Sequence, residues 1–362
     1  MKTGLLPVIV ATATLVIGCG REAPPALAPV MAAKVADVAE VNTPGGFLDS
    51  IALARDVGYV ATGERGGRIR VWAPADREPI TFGGYHQAVV DLAFSPSGDL
   101  LASLGRHGEG ALRLWQPAER AGAKVWAEVA SVPMGRCLAL RFDGSGTRLA
   151  VMCEREVLLL DVATRLETAR VPNPHPENMT AFDLAANGTR LLTAGHEGEV
   201  AFWDAVTLAP IRRISVSRSR RPGPRPPPGV PPPEVWAVVV ALSPDGSRAA
   251  AVTIEGTVYV WDVATGAELI VDAHAEASGP PAGSLRFAGD GRLLAPTGDR
   301  RGMRLFDVSR KSSRIVASGG KAYHAVAITD DATGFAAITS DLAGGNLSYG
   351  VEIWRLPGKP SG

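Results

Sequence analysis

Phe94-Ser95-Pro96-Ser97-Gly98-Asp99-Leu100-Leu101-Ala102-Ser103, running on to Gly110-Ala111-Leu112-Arg113-Leu114-Trp115, decides the fold of this chain. An apolar stretch reaches a tight glycine turn, a second apolar stretch returns from it, and a third ends on a large aromatic ring. Short apolar runs bounded by turn residues are strands, and a compact turn ending in Gly between two of them is a hairpin. Leu242-Ser243-Pro244-Asp245-Gly246-Ser247-Arg248, leading to Gly256-Thr257-Val258-Tyr259-Val260-Trp261-Asp262, repeats the same order.

Working outward from these two copies, the pattern recurs seven times between Phe47 and Leu356. The third runs end at Trp72, Trp115, Leu160, Trp203, Trp261, Phe306 and Trp354, at intervals of 43 to 48 residues except for 58 before Trp261. The first two runs of each copy are joined by turns at Arg55–Gly58, Ser95–Gly98, Asp143–Gly146, Ala185–Gly188, Ser243–Gly246, Ala288–Gly291 and Asp330–Gly334. The spacing predicts a three-residue hairpin loop, with its last Gly supplying positive φ. A period of this length marks a repeat architecture in which each unit buries its faces against its neighbours.

The period and the Trp-Asp ending at Trp261-Asp262 resemble the WD40-repeat family. The resemblance implies an all-β, seven-bladed WD40-like β-propeller, with Trp72, Trp115, Trp203, Trp261 and Trp354 as structural residues of its blades. Such rings commonly close with an N-terminal strand that completes the last blade, and Lys34–Val41 is placed to do so. Family blades also carry a hydrogen-bonded His, Ser or Thr, Asp and Trp. Here the Asp place holds Glu109, Glu197 and Glu255 in three blades, Gly66 in the first and Arg300 in the sixth. Only His86, in Gly84-Tyr85-His86, matches the family His, which gives it a structural role. Blade stability then rests mainly on packing of Val, Leu, Ala and Trp.

The chain begins differently. Lys2 precedes a short apolar run, Leu5–Ile17, and then Val16-Ile17-Gly18-Cys19. That run is too short for a membrane span and fits a secretory signal. The residues ending at Cys19 resemble the lipobox of bacterial lipoproteins, which implies lipid attachment at Cys19. An ordinary signal peptide with an incidental Cys is the alternative. The expected organisation is a signal peptide over 1–18, a Pro/Ala-rich tether over 19–33 and the propeller over 34–357. Gly20, where Asp would favour inner-membrane retention, points to the outer membrane of a bacterial cell envelope. Cys137 and Cys153 remain as an even pair, placed to face each other across the turn at Asp143–Thr147. They are either a disulfide or two buried thiols.

Net charge is zero, with 37 basic and 37 acidic residues, which argues against a nucleic-acid binder. The six histidines, His86, His107, His175, His196, His274 and His324, show no metal-ligand spacing, and no nucleophile elbow, P-loop or dinucleotide fingerprint occurs. His107 and His196 fall near upper-face loops, but the equivalent loops carry Arg65, Arg155, Glu255 and Arg300, a mixed rim. No metal and no cofactor are expected.

The long interval before Trp261 holds Arg212, Arg213, Arg218, Arg220, Arg221 and Arg225 within a Pro-rich run, an insertion over 212–234 between blades 4 and 5. Proline removes the ladder donor and favours an extended arm. That arm is a candidate contact for an acidic protein or anionic headgroups, or else a tolerated surface insertion. The expected molecule is a non-enzymatic interaction scaffold of the bacterial envelope, a monomer within a larger complex. Its partners are other envelope proteins, together with the membrane through its lipid anchor. A ligand or glycan sensor, and a lactonase- or hydrolase-type propeller enzyme, are the alternatives.

Overall fold

The computed structural model describes residues 33–41, 48–54, 58–73, 78–106, 111–175, 178–216, 237–253, 256–272, 285–297, 301–318, 321–329, 334–343 and 346–356. Seven four-stranded antiparallel sheets follow one another as the blades of a β-propeller. Blade 1 comprises Leu48–Leu53, Val60–Glu64, Arg68–Trp72 and Ile80–Gly83, from the channel outward. Blade 2 is Val89–Phe94, Leu101–Gly105, Ala111–Arg120 and Ala123–Pro133, and blade 3 is Cys137–Phe142, Arg148–Cys153, Glu156–Asp161 and Glu167–Pro172. Blade 4 is Met179–Leu184, Arg190–Gly195, Glu199–Asp204 and Pro210–Ser215, and blade 5 is Ala237–Leu242, Arg248–Thr253, Val258–Asp262 and Glu268–Asp272. Blade 6 is Arg286–Phe287, Arg292–Pro296, Gly302–Asp307 and Ser312–Ser318. Blade 7 uses Ala322–Ile328, Gly334–Ala343 and Asn346–Arg355, and its outer strand is the N-terminal segment Ala33–Val41. The ring is therefore closed by an N-terminal strand, as the resemblance implies.

The reason for the repeat is visible in the core. Among the described residues there are seven buried apolar clusters, one in each seam between consecutive blades. The residue ending each third strand plugs the seam with the preceding blade. Trp261 lies between blades 4 and 5, Trp115 between 1 and 2, and Trp354 between 6 and 7. Trp72 joins Ala336, Ile338, Val351 and Ile353 of blade 7 to blade 1, so the last seam is packed like the others. A buried ring of this size contributes about 2–3 kcal/mol by leaving water, and in the seam between blades 2 and 3 Leu160 takes its place.

The inner hairpins differ from expectation by one residue. Ser95 N–H donates to Leu100 O at 2.8 Å and Gly98 N–H to Ser95 O at 2.8 Å, so Pro96–Asp99 form a four-residue loop. Asp143/Arg148, Ala185/Arg190 and Ser243/Arg248 close in the same way, and only blade 6, with Ala288/Arg292, has the expected three-residue loop. Gly98 does take positive φ, at 76°. The ladder is restored by a bulge near the start of the inner strand in six blades, for example between Cys137 and Ala139. Cys137 consequently faces Cys153 although the rest of that hairpin is shifted, and their sulfurs are bonded. The bulge pushes Leu138 outward, to 43% exposure.

The Asp that follows the seam residue caps the next turn. Asp161 Oδ1 accepts from Thr164 N (2.7 Å), Asp204 Oδ1 from Thr207 N (2.9 Å) and Asp262 Oδ1 from Thr265 N (2.8 Å). The residue closing each turn is left-handed: Arg165 (φ 63°), Leu208 (φ 59°), Gly266 (φ 74°) and, after Asp307, Lys311 (φ 50°).

Two hairpins outgrow the blade. The outer pair of blade 2 stays in register through Arg120↔Ala123, and its Trp126 folds back onto Tyr59 and Phe94 at 5.8 and 5.7 Å between ring centroids. The Gly334–Ala343 and Asn346–Arg355 pair of blade 7 continues to Ala343↔Asn346.

Candidate functional site: the charged belt of the central channel

Inner strands present alternate residues to the channel, because side chains of a strand alternate between its faces. At the level of Arg141↔Ala150 the corresponding inner-strand residues are Ala52, Ala93, Asp183, Ala241, Arg286 and Ala327. One level higher stand Asp91, Ala139, Ala181 and Ala325. The Ala side chains at these two levels pack into the seams between blades, and the four charged residues form a belt among the inner strands.

Three members are interlocked. Arg141 Nη1 lies 3.0 Å from Asp91 Oδ2 and its Nε 3.4 Å from Asp183 Oδ1. Both carboxylates also stitch neighbouring blades: Asp91 Oδ2 accepts Leu140 N–H at 2.9 Å, and Asp183 Oδ2 accepts Leu242 N–H at 2.8 Å. The remaining Asp91 oxygen accepts Leu92 N–H. Arg286 is placed differently. Its hydrogen bond goes to the carbonyl of its own neighbour, Leu285, at 2.9 Å, and no carboxylate lies within salt-bridge distance among the described residues. Burial pushes its pKa down to about 10, Arg141 lowers it further, and Asp183 and Asp91 act the other way. Blades 3 and 6 stand three places apart in the ring of seven, and the Arg141 charge still reaches Arg286.

A half-open cavity of about 150 Å³ lies against Arg141 and the neighbouring inner-hairpin turns. Leu53, Phe94, Pro96, Phe142 and Ile328 give it apolar walls, and Arg141 is its one cationic lining residue. Asp143, also in the lining, is held by Arg148 and Ser145. Among the described residues no three His, Cys, Asp or Glu side chains gather as a metal would require.

The sequence-marked residues lie elsewhere. Arg212 and Arg213 sit on the outer strand of blade 4, and both are tied down. Arg212 Nη2 donates to Ala264 O of blade 5 at 3.0 Å, and Arg213 reaches Glu199 (3.4 Å) and Pro174 O (3.0 Å). Arg218, Arg220, Arg221 and Arg225 lie outside the described residues, as do Cys19, His107, Glu109 and His274. The structural His also differs. His86 is exposed, and its neighbour Tyr85 enters blade 2, donating to Ser103 O at 2.9 Å with Ser103 Oγ equally close. Trp115 Nε1 donates to the same Ser103 Oγ at 2.8 Å. The ring fits because Gly105 carries no Cβ, which would fall 2.2 Å from it.

Blade 4 holds the polar chain expected of the family, built on His175. Trp203 Nε1 donates to Thr193 Oγ1 (3.2 Å), Thr193 Oγ1 meets His175 Nε2 (3.0 Å), and His175 Nδ1 meets Glu197 Oε1. The Glu197 carboxylate can only accept, so His175 directs an Nδ1 proton at it, and in the neutral ring Nε2 then accepts the Thr193 hydroxyl proton. Among the described residues, Trp72 Nε1 and Trp261 Nε1 find no hydrogen-bond partner. In blade 5 the place of Thr193 is taken by Ala251.

The belt went unread in the sequence, although a signal was present. Leu140-Arg141-Phe142 and Leu285-Arg286-Phe287 are the same tripeptide, each just before its turn.

Residues 78–116 match the family model described as WD domain, G-beta repeat. A stretch of 77 residues is 40% identical to the WD repeat-containing protein SL1-17 of Schistosoma mansoni, covering 21% of this chain and 24% of that protein. The shared region thus amounts to about a quarter of the relative's length.

Proposed function

We propose that this propeller is a non-enzymatic protein-interaction scaffold of a bacterial cell envelope, held at the outer membrane by lipid on Cys19. The observation that carries the reading is the closure of the ring. Ala33–Val41 forms the outermost strand of blade 7, so the described chain enters the ring at its rim and not at a broad face. The Cys137–Cys153 bond supports an oxidising compartment. Partners are other envelope proteins, and the arm carrying Arg218, Arg220, Arg221 and Arg225 supplies a basic contact, while Arg212 and Arg213 brace its root.

Affinity capture from solubilised envelope, comparing the intact protein with one lacking Arg218–Pro233, tests the contact. Specific proteins recovered by the intact form and lost with the deletion support it; the same proteins recovered by both place the contact on the propeller faces. Metabolic labelling with an alkynyl fatty acid tests the anchor. Label must appear on the intact chain and vanish in Cys19→Ala, and an unlabelled intact chain overturns lipid anchoring.

A further inference from the structure

The outer strand of blade 2, Ala123–Pro133, has 11 residues, against 4 to 9 in the outer strands of the other blades. Its first half outruns the sheet. Pairing between the second and third strands ends at Leu101↔Trp115, whereas the outer hairpin continues from Trp115↔Glu128 to Arg120↔Ala123. The strand closes its sheet on the outside, so one edge faces no other strand among the described residues.

The turn decides which backbone groups stand on that edge. Ala121 (φ 50°) and Gly122 (φ 77°) make a two-residue hairpin loop, whose flanking pair, Arg120 and Ala123, exchanges backbone hydrogen bonds. Alternation then sends the N–H and C=O groups of Lys124, Trp126 and Glu128 to the free edge. Pro117 agrees with this parity: it has no N–H to donate, and it stands opposite Trp126, where none is needed. The bulge at Val129, between Leu114↔Ala130 and Trp115↔Glu128, ends the run. The Trp126 ring is buried against Tyr59 and Phe94, which holds the strand to the body.

We propose that this edge pairs with the same edge of a second copy of the chain, antiparallel and centred on Trp126. In that register Lys124 lies opposite Glu128 of the second copy and Glu128 opposite its Lys124, so the segment is its own complement. Each of these opposed residues can exchange both backbone hydrogen bonds with its partner. Centring the pair on Lys124 or on Glu128 sets like charges directly opposite each other, which is destabilising. Lysine on an edge ordinarily keeps other strands away; here it leaves one partner that fits. Glu128 is oriented by Arg113 Nη1 at 3.2 Å and remains 38% exposed, while Lys124 is exposed and makes no ion pair among the described residues. Such a self-matching contact closes with two-fold symmetry and does not run on into a fibre. The contact is small, so the dimer is weak. It replaces the expected monomer, and it involves neither the arm nor the lipid anchor.

Sedimentation equilibrium of the full chain reads the mass, and oxidative crosslinking in chains carrying Cys19→Ala reads the register. The wild-type mass should rise toward two chains with concentration. Lys124→Glu creates two like-charge contacts and weakens association by about tenfold or more. Lys124→Glu/Glu128→Lys restores it. Lys124→Pro removes an outward N–H that the hairpin does not use, so it abolishes pairing and melts as the wild type does. Val125 faces Ala127 of the second copy, in the closer kind of opposed pair, within reach of a disulfide. Val125→Cys and Ala127→Cys chains therefore crosslink when mixed under copper-phenanthroline, and neither does so alone. A mass of one chain up to about 1 mM overturns the proposal. So does a mixture that crosslinks no more than either chain alone, or association left unchanged by Lys124→Glu.

Discussion

Replacing Thr193 by Val removes one hydroxyl from the middle of the blade 4 chain and changes little else in volume. Two bonds are lost together, from Trp203 Nε1 at 3.2 Å and to His175 Nε2 at 3.0 Å. The cost is unequal at the two ends. His175 is only 3% exposed, so its orphaned nitrogen meets no water and forfeits about 1–3 kcal/mol. Trp203 is half-buried, and its indole N–H regains some hydration, so its share is about 0.5 kcal/mol. The sum is roughly 1.5–3.5 kcal/mol, which for a chain of this size corresponds to a fall in Tm of about 2–5 °C. Urea unfolding followed by tryptophan fluorescence measures the first figure and calorimetry the second. A cycle with Trp203→Phe isolates the indole bond, whose coupling with Thr193 should be about 0.5–1 kcal/mol. A Thr193→Val protein within about 0.5 kcal/mol of wild type would refute the assignment of His175, Thr193 and Trp203 as one chain.

Lys311 holds φ 50° where blade 5 has Gly266, so Lys311→Gly should stabilise by about 0.5–1 kcal/mol in equilibrium unfolding; a loss of stability sinks the comparison between turns. The Cys137–Cys153 bond closes a segment with a sequence separation of 16, so its removal should cost about 3 kcal/mol. A melt with and without reductant reads this, and a Cys137→Ala/Cys153→Ala double variant should melt low and ignore reductant. Backbone donation from Thr164, Thr207 and Thr265 holds Asp161, Asp204 and Asp262 below the usual carboxylate range. Their folded-state pKa values are depressed, so their contribution is full above the unfolded value of about 4 and is lost as pH falls through the lower folded values. The unfolding midpoint should therefore be level above about pH 5 and decline below about pH 4; a midpoint still level at pH 3 contradicts the capping role.

The blades were legible because each needs a turn glycine and a large seam residue, and both leave marks at a fixed interval. Phe306 and Leu160 serve as well as Trp261 because the seam asks for volume and not for an indole. Register was less legible. The sequence at Asp143–Thr147 does not distinguish a three-residue from a four-residue loop, and the bulge at Leu138 hides the difference by returning Cys137 to Cys153. The blade histidine was misplaced for a related reason. His86 follows Gly84-Tyr85 as the family His follows Gly, yet the connection between Gly83 and Val89 turns Tyr85 inward, and the prolines around His175 hide its place in the pattern. Arg212 and Arg213 stood out by composition, but carbonyls of neighbouring loops hold them, and sequence gives no hint of such long-range partners. The channel belt was unread because Asp91, Arg141, Asp183 and Arg286 come from four different repeats, each a lone charge in an apolar strand.

The strand that closes the ring also sets the order in which the ring can be finished. Ala33 pairs with Arg355, so the first described strand must wait for nearly the last. At ordinary rates of synthesis that wait is on the order of 15–60 s, spent as an unpaired strand edge, a form prone to pairing with the wrong chain. The segment Ala33-Lys34-Val35-Ala36-Asp37-Val38-Ala39-Glu40-Val41 carries a charge at every third residue, a spacing that keeps a waiting strand soluble. A regular strand has period two and would bring such charges to both faces by turns. Register shifts between Lys34 and Ala36 and between Val38 and Glu40 break that period. The ring is thus completed only when two segments far apart in sequence, Ala33–Val41 and Asn346–Arg355, meet as neighbours.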